Sequence, residues 1–113
     1  MNYSINKKRI WVAGHNGMVG SAIVRKLLNE DCEVITVKKN DLDLRDNESV
    51  LRWLKKNSPD IIIIAAAKVG GIYANSTYPA EFLYDNLMIE TNVIHCAKQC
   101  AVEKLLFLGS SCI

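Results

Sequence analysis

Short, unbroken apolar runs alternate along the chain with longer segments whose apolar residues recur every three or four positions, the pattern of parallel β-strands joined by crossover helices. Residues Arg9 to Ala13 open the series, and Ile10, Trp11, Val12 and Ala13 form an apolar strand suited to burial on both faces. A helix is predicted from Met18 to about Asn29, with Val19, Ile23, Leu27 and Leu28 on one stripe and Arg25, Lys26 and Glu30 facing water. Glu33 to Val37 is the second strand. After a polar connection, Lys38 to Arg45, either Asp46 or Asn47 caps a helix carrying Val50, Leu51 and Leu54, which ends ahead of Ser58-Pro59.

Asp60 to Ala65 is the third strand, rich in isoleucine. The connection Ala66 to Tyr78 contains Gly70-Gly71 and several small polar residues, and its length suggests function rather than mere linkage. Pro79 opens the next helix, where its missing N–H has no partner to lose. That helix continues to about Ala101 with Phe82, Leu83, Leu87, Ile89, Val93, Ile94 and Ala97 as apolar positions. Lys104 to Leu108 is the fourth strand, leading into Gly109-Ser110-Ser111-Cys112-Ile113. The expected architecture is α/β: a parallel sheet ordered 3-2-1-4 with flanking helices, and a ligand crevice where the winding reverses between strands one and four.

Composition narrows the possibilities. Half of the 113 residues are apolar, enough for one compact domain with a core. Charged residues make up 23% with a net charge of +2, which does not indicate a nucleic-acid partner. The apolar stretch before Gly14 is too short for a signal-peptide core, and the run Ile61 to Ala67 falls far short of the roughly 18 residues of a membrane span. A soluble, cytoplasmic protein without a membrane partner is expected. The four cysteines, Cys32, Cys96, Cys100 and Cys112, spell out no disulfide framework and read as free thiols. His95, Cys96 and Cys100 lack a second ligand cluster to close a metal site, so core or half-buried packing is expected of them.

The chemistry begins at Gly14-His15-Asn16-Gly17-Met18-Val19-Gly20, set between a strand and a helix. Gly14 suits a tight turn, Gly17 a close approach of backbone to a pyrophosphate, and Gly20 close packing of helix on strand. The anion would meet free N–H groups and the positive end of the helix dipole. This context makes the chain part of an NAD(P)-binding Rossmann fold, although three glycines also serve a plain turn. At the end of the second strand, where an NAD-selective fold usually has an acid, stand Lys38, Lys39 and Asn40; they favour a 2′-phosphate, hence NADP(H), unless the lysines merely form a solvated turn. Asp43-Leu44 either holds an adenine edge or is an ordinary polar turn.

The glycine turn, together with Ala65-Ala66-Ala67-Lys68-Val69-Gly70-Gly71-Ile72, Asn75-Ser76-Thr77-Tyr78-Pro79-Ala80 and Leu105-Leu106-Phe107-Leu108-Gly109-Ser110-Ser111-Cys112-Ile113, resembles the GDP-L-fucose synthase family of extended short-chain dehydrogenase/reductases. The resemblance covers nearly all of the chain after about Lys8. It implies a dimeric, NADPH-dependent enzyme that epimerises GDP-4-keto-6-deoxy-D-mannose at C3 and C5 and reduces the C4 ketone. It further implies that Ser110 hydrogen-bonds the C4 oxygen, that Cys112 is an acid/base of epimerisation, and that Ala65, Ala66 and Ala67, with Leu108 and Gly109, lie along the cofactor. Asn92, mid-helix, would support a catalytic lysine through water; an exposed or capping asparagine is the alternative.

The family's Tyr-x-x-x-Lys pair is expected some tens of residues after Cys112 and is not reached in these residues; Tyr73, Tyr78 and Tyr84 offer no substitute, since none is followed four positions later by Lys. The chain is therefore expected to be the N-terminal part of an NADP-binding domain, inactive by itself, with an unpaired strand edge beside Phe107 and association with a separately encoded carboxyl-terminal part open to it. Three readings remain: a module of a GDP-sugar epimerase-reductase, a catalytically incomplete nucleotide-binding protein that pairs with an intact partner, and another extended short-chain nucleotide-sugar epimerase or dehydratase. Cys112 after Ser110-Ser111 argues against the last.

Overall fold

The computed structural model describes residues 3–65 and 79–108, the side chains of 79–83 excepted. In these residues strands and helices alternate as β1 (Arg9–Ala13), α1 (Met18–Leu27), β2 (Glu33–Ile35), α2 (Asn47–Asn57), β3 (Ile61–Ile64), α3 (Pro79–Gln99) and β4 (Lys104–Phe107). Every pairing is parallel, and helices flank the sheet as the α/β reading requires.

The order within the sheet is β2-β1-β3-β4, which corrects the expected 3-2-1-4. Burial explains the difference. β3 is four isoleucines, all buried, so it needs a strand on each edge and helices on both faces, whereas β2 opens with exposed Glu33 and suits a sheet edge. The chain therefore leaves β1 toward β2 on one side and returns across β1 to β3 on the other. This moves the reversal point, and with it the crevice, to the carboxyl ends of β1 and β3.

Alternation along β1 and β3 divides the core into two layers. Trp11, Ala13, Ile62 and Ile64 pack against Val50 and Leu54 of α2 and against Ile89, Val93, Cys96 and Ala97 of α3. Ile10, Val12, Ile61 and Ile63 pack on the opposite face with Leu27, Ile23 and Val24 of α1. Each fully buried large side chain contributes on the order of 2 kcal/mol of transfer free energy. The Trp11 ring lies on Trp53, centroids 4.4 Å apart and tilted by 43°. The amino-terminal arm is tied to the start of β4: Tyr3 Oη donates to Glu103 Oε2 (2.5 Å), and Lys8 Nζ pairs with the same carboxylate (2.9 Å).

Several apolar positions expected inside lie outside. Val19 and Leu28 are exposed, because the buried stripe of α1 is Ile23, Val24 and Leu27 and its first turn overhangs the glycine turn. On α3 the residues Ile89, Val93, Cys96 and Ala97 keep one face inward, which turns Leu87, Ile94 and Tyr84 to solvent. The same geometry buries Cys96, half-buries Cys100 and exposes His95, against the expected packing of that histidine. Cys32, Cys96 and Cys100 are free. Asp46 is the N-cap residue of α2, though its carboxylate accepts from Ser49 Oγ (2.7 Å) instead of a backbone N–H.

Candidate functional site

The chain leaves β1 through a turn that depends on glycine in two different ways. Gly14 adopts φ 90°, a backbone conformation that side chains disfavour. A Cβ at Gly20 would stand 1.9 Å from the Gly14 carbonyl oxygen, so no side chain fits between helix and turn. Gly17 is otherwise: a Cβ there would sit in ordinary contact, 3.6 Å from the same oxygen. Gly17 N–H donates to Gly14 O (3.2 Å), and α1 begins without a side-chain cap or an acidic residue in its first turn. Such an end presents unpartnered N–H groups and a positive dipole to an anion.

Beyond β2 the segment 38–46 curls over the carboxyl edge of the sheet and is held there from α3. Leu42 is buried in the core, and the Asn92 side-chain amide donates to Leu44 O (3.0 Å). Asn92 is only 8% exposed, and its own Oδ1 accepts from Asn47 Nδ2 (3.3 Å). It is thus neither an exposed nor a capping asparagine: it braces the segment. Arg45 folds back on Asp43, its backbone N–H and Nε reaching Oδ1 (3.0 and 3.1 Å) and Nη2 reaching Oδ2 (3.3 Å). The Arg45 guanidinium, seconded by its own backbone N–H, holds the Asp43 carboxyl below the usual carboxylate range. Arg45 Nη1 also lies 3.7 Å from Asp85 Oδ1 on α3.

Turn and segment enclose a crevice of about 740 Å3 at the reversal point of the sheet. Its floor is Trp11 and Ala13, one end is Gly14, His15, Asn16 and Gly17, and the other is an apolar slot of Val37, Leu42, Leu44 and Ile89 rimmed by Lys39, Asn40, Asp43, Arg45 and Asp85. Volume and lining, apolar walls with a few convergent polar groups, are those of a small-molecule site. A glycine turn at a helix N-terminus can hold a diphosphate, and an apolar slot with a polar rim can hold a planar base.

Of the residues singled out from the sequence, Gly14, His15, Asn16, Gly17, Lys39, Asn40, Asp43 and Leu44 come together around this crevice. Gly20 is buried behind the turn, Met18 is 89% exposed, and Val19 also faces solvent. Lys38 is exposed and outside the lining. Ala65 and Leu108 follow β3 and β4 at the same edge of the sheet, Ala65 N donating to Ala13 O and Leu108 N to Ile64 O. Ala66, Ala67, Gly109, Ser110 and Cys112 lie outside the described residues. The sequence reading did not single out Trp11, Val37, Leu42, Arg45, Asp85 and Ile89 as lining; only Arg45, two positions after a rim acid, left a signal to follow.

Comparison with known proteins agrees with this geometry. Residues 10–113 match the family described as NAD dependent epimerase/dehydratase. The chain is 60% identical to a GDP-L-fucose synthase of Sinorhizobium fredii over 98% of its own length and 35% of that protein's. It is 52% identical to a GDP-L-fucose synthase of Escherichia coli K12, over 96% of the chain and 34% of that protein. A solved GDP-mannoheptose C4 reductase of Campylobacter jejuni with NADP bound superposes with a TM-score of 0.85 at 33% identity, over 96% of this chain and 34% of that one. The chain spans about a third of the length of the relatives it matches.

Proposed function

This chain belongs to the NAD-dependent epimerase/dehydratase family, and from that premise we propose that it forms the coenzyme-binding part of an NADP(H)-dependent GDP-L-fucose synthase. The reaction is epimerisation of GDP-4-keto-6-deoxy-D-mannose at C3 and C5 followed by reduction at C4. The observation that carries the reading is the crevice: a glycine turn at the start of a helix at one end, a rim that includes Lys39, Asn40 and Arg45 at the other, at the reversal point of a parallel sheet. The identity of 60% to a named GDP-L-fucose synthase supports the choice of substrate.

When bound, the reduced coenzyme supplies hydride. The chain's own residues bind and orient it: backbone N–H groups of 14–20 face the diphosphate, and Lys39 with Asn40 faces the 2′-phosphate. Ser110 donates to the C4 oxygen and so stabilises the enolate that makes the neighbouring protons removable. Cys112 moves a proton at the sugar carbon as a general acid/base. The acid of the reduction is assigned to a Tyr-x-x-x-Lys pair that follows Cys112 in the family; the one such spacing in these residues, Tyr3 with Lys7, is outside the crevice lining, and its tyrosine donates to Glu103. These residues therefore bind coenzyme, and turnover of substrate also requires a segment carrying that catalytic pair. Among the described residues no helix is long and apolar enough to cross a membrane, and a cytoplasmic setting belongs to the same proposal.

The test is calorimetric titration of the polypeptide with NADPH, followed by NADPH consumption with the keto-sugar, with and without a carboxyl-terminal polypeptide carrying the Tyr-x-x-x-Lys pair. Binding alone, and turnover on addition, is the expected result. Failure to bind overturns the coenzyme assignment, and turnover by the chain alone overturns the division of labour. The 33% identity to a GDP-sugar C4 reductase favours a second reading, reduction without epimerisation. Deuterium uptake from solvent at C3 and C5 of the product separates the two.

A further inference from the structure

Asp43 and Arg45 form an ion pair whose side chains are each about half exposed, 53% and 50%. Pairs so exposed add little to stability, yet this one is built with unusual completeness. Both Asp43 oxygens accept from Arg45, through one backbone and two guanidinium donors. The guanidinium is itself anchored toward α3, 3.7 Å from Asp85. Leu44, between them, is fixed by Asn92 through its carbonyl. Three consecutive residues on the crevice rim are thus oriented by partners, and they border the apolar slot of Val37, Leu42, Leu44 and Ile89.

An ionised carboxylate offers about four acceptor positions; three are occupied by Arg45, which leaves one, in a fixed direction. An apolar slot with one oriented acceptor at its edge suits a planar heteroaromatic ring that carries an exocyclic amine. We propose that Arg45 is a positioning residue for coenzyme recognition, aiming the Asp43 carboxylate at the 6-amino group of adenine. The proposal rests on the dinucleotide reading and deepens it: selectivity for the base depends on a side chain that does not touch the ligand. Lysine is no substitute at this position, because an ammonium lacks the planar fork that engages both oxygens.

The experiment compares NADPH with its hypoxanthine counterpart, which presents a carbonyl where adenine has the amine. Calorimetric affinities for both are measured on the wild-type polypeptide and on R45M, R45K and D43N. Wild type is expected to prefer NADPH by about tenfold or more, the size of one charge-assisted hydrogen bond. R45M and D43N should bind both ligands alike, and R45K should lose most of the preference although it keeps the charge. A merely structural arginine would weaken both ligands equally and leave their ratio intact, which overturns the proposal. So does equal binding by wild type, or full preference in R45K. If wild type binds neither ligand, the dinucleotide reading itself falls. Unchanged thermal melting is expected of R45M; should it melt early, R45K, which keeps the charge and the length, carries the same comparison.

Discussion

Gly17 and Gly20 are indistinguishable as letters in a turn, and the space around them separates their roles. Gly20→Ala drives a Cβ into the Gly14 carbonyl and is expected to cost about 2 kcal/mol or more, as overpacking does, along with coenzyme binding. Gly17→Ala meets only ordinary contacts, so its thermal melting should match wild type while NADPH affinity falls by at least about tenfold, the measure of a methyl group intruding on an anion that must touch backbone. Equal melting losses in both variants would contradict this division. The lysines after β2 divide in the same way. Lys39 borders the crevice and Lys38 does not, so Lys39→Met is expected to lower the preference for NADPH over NADH by about tenfold, the loss of one charged phosphate contact, whereas Lys38→Met leaves that ratio unchanged in titrations. The sequence marked the stretches that border the crevice, since a glycine turn between strand and helix and a cation run after a strand are short local signatures. It did not resolve which neighbour faces the crevice, because that depends on how 38–46 curls.

Among the elements, types and approximate limits were legible because each strand is a short, largely apolar run and each helix repeats apolar residues every three or four positions. The order of the strands was not, since periodicity describes faces and is silent about edges; the burial of all four isoleucines of β3 against the exposure of Glu33 decided it. The same blindness hid the inward Asn92, a polar residue in a buried stripe whose partners, Leu44 and Asn47, lie 48 and 45 residues away. Asn92→Ala leaves both partners without their bonds in a half-buried setting and is expected to destabilise the fold by about 1–3 kcal/mol, read from the midpoint of urea unfolding. Coenzyme affinity should fall with it, because the wall of the slot loses its brace. A variant as stable as wild type would show that the network holds nothing in place.

The whole molecule presents a free sheet edge among its described residues: β4 pairs with β3 on one side only, and its Leu106 and Phe107 are exposed, 50% and 37%. An apolar, unpaired strand invites association with another chain, so the polypeptide is expected to sediment as oligomers, and Leu106→Lys to shift it toward monomer at the same concentration. The paired indoles beneath the crevice have a consequence of an optical kind. Trp11 and Trp53 are the only tryptophans of the chain, and Trp11 is wholly buried with no acceptor for its Nε1. Indole emission therefore originates at Trp11 in the floor of the crevice, short in wavelength, and at Trp53 packed against it, and the two tilted rings are close enough to couple as chromophores and split the ultraviolet ellipticity into a signed pair. A guest settling on that floor rewrites both signals at once, so the molecule carries its own gauge of occupancy.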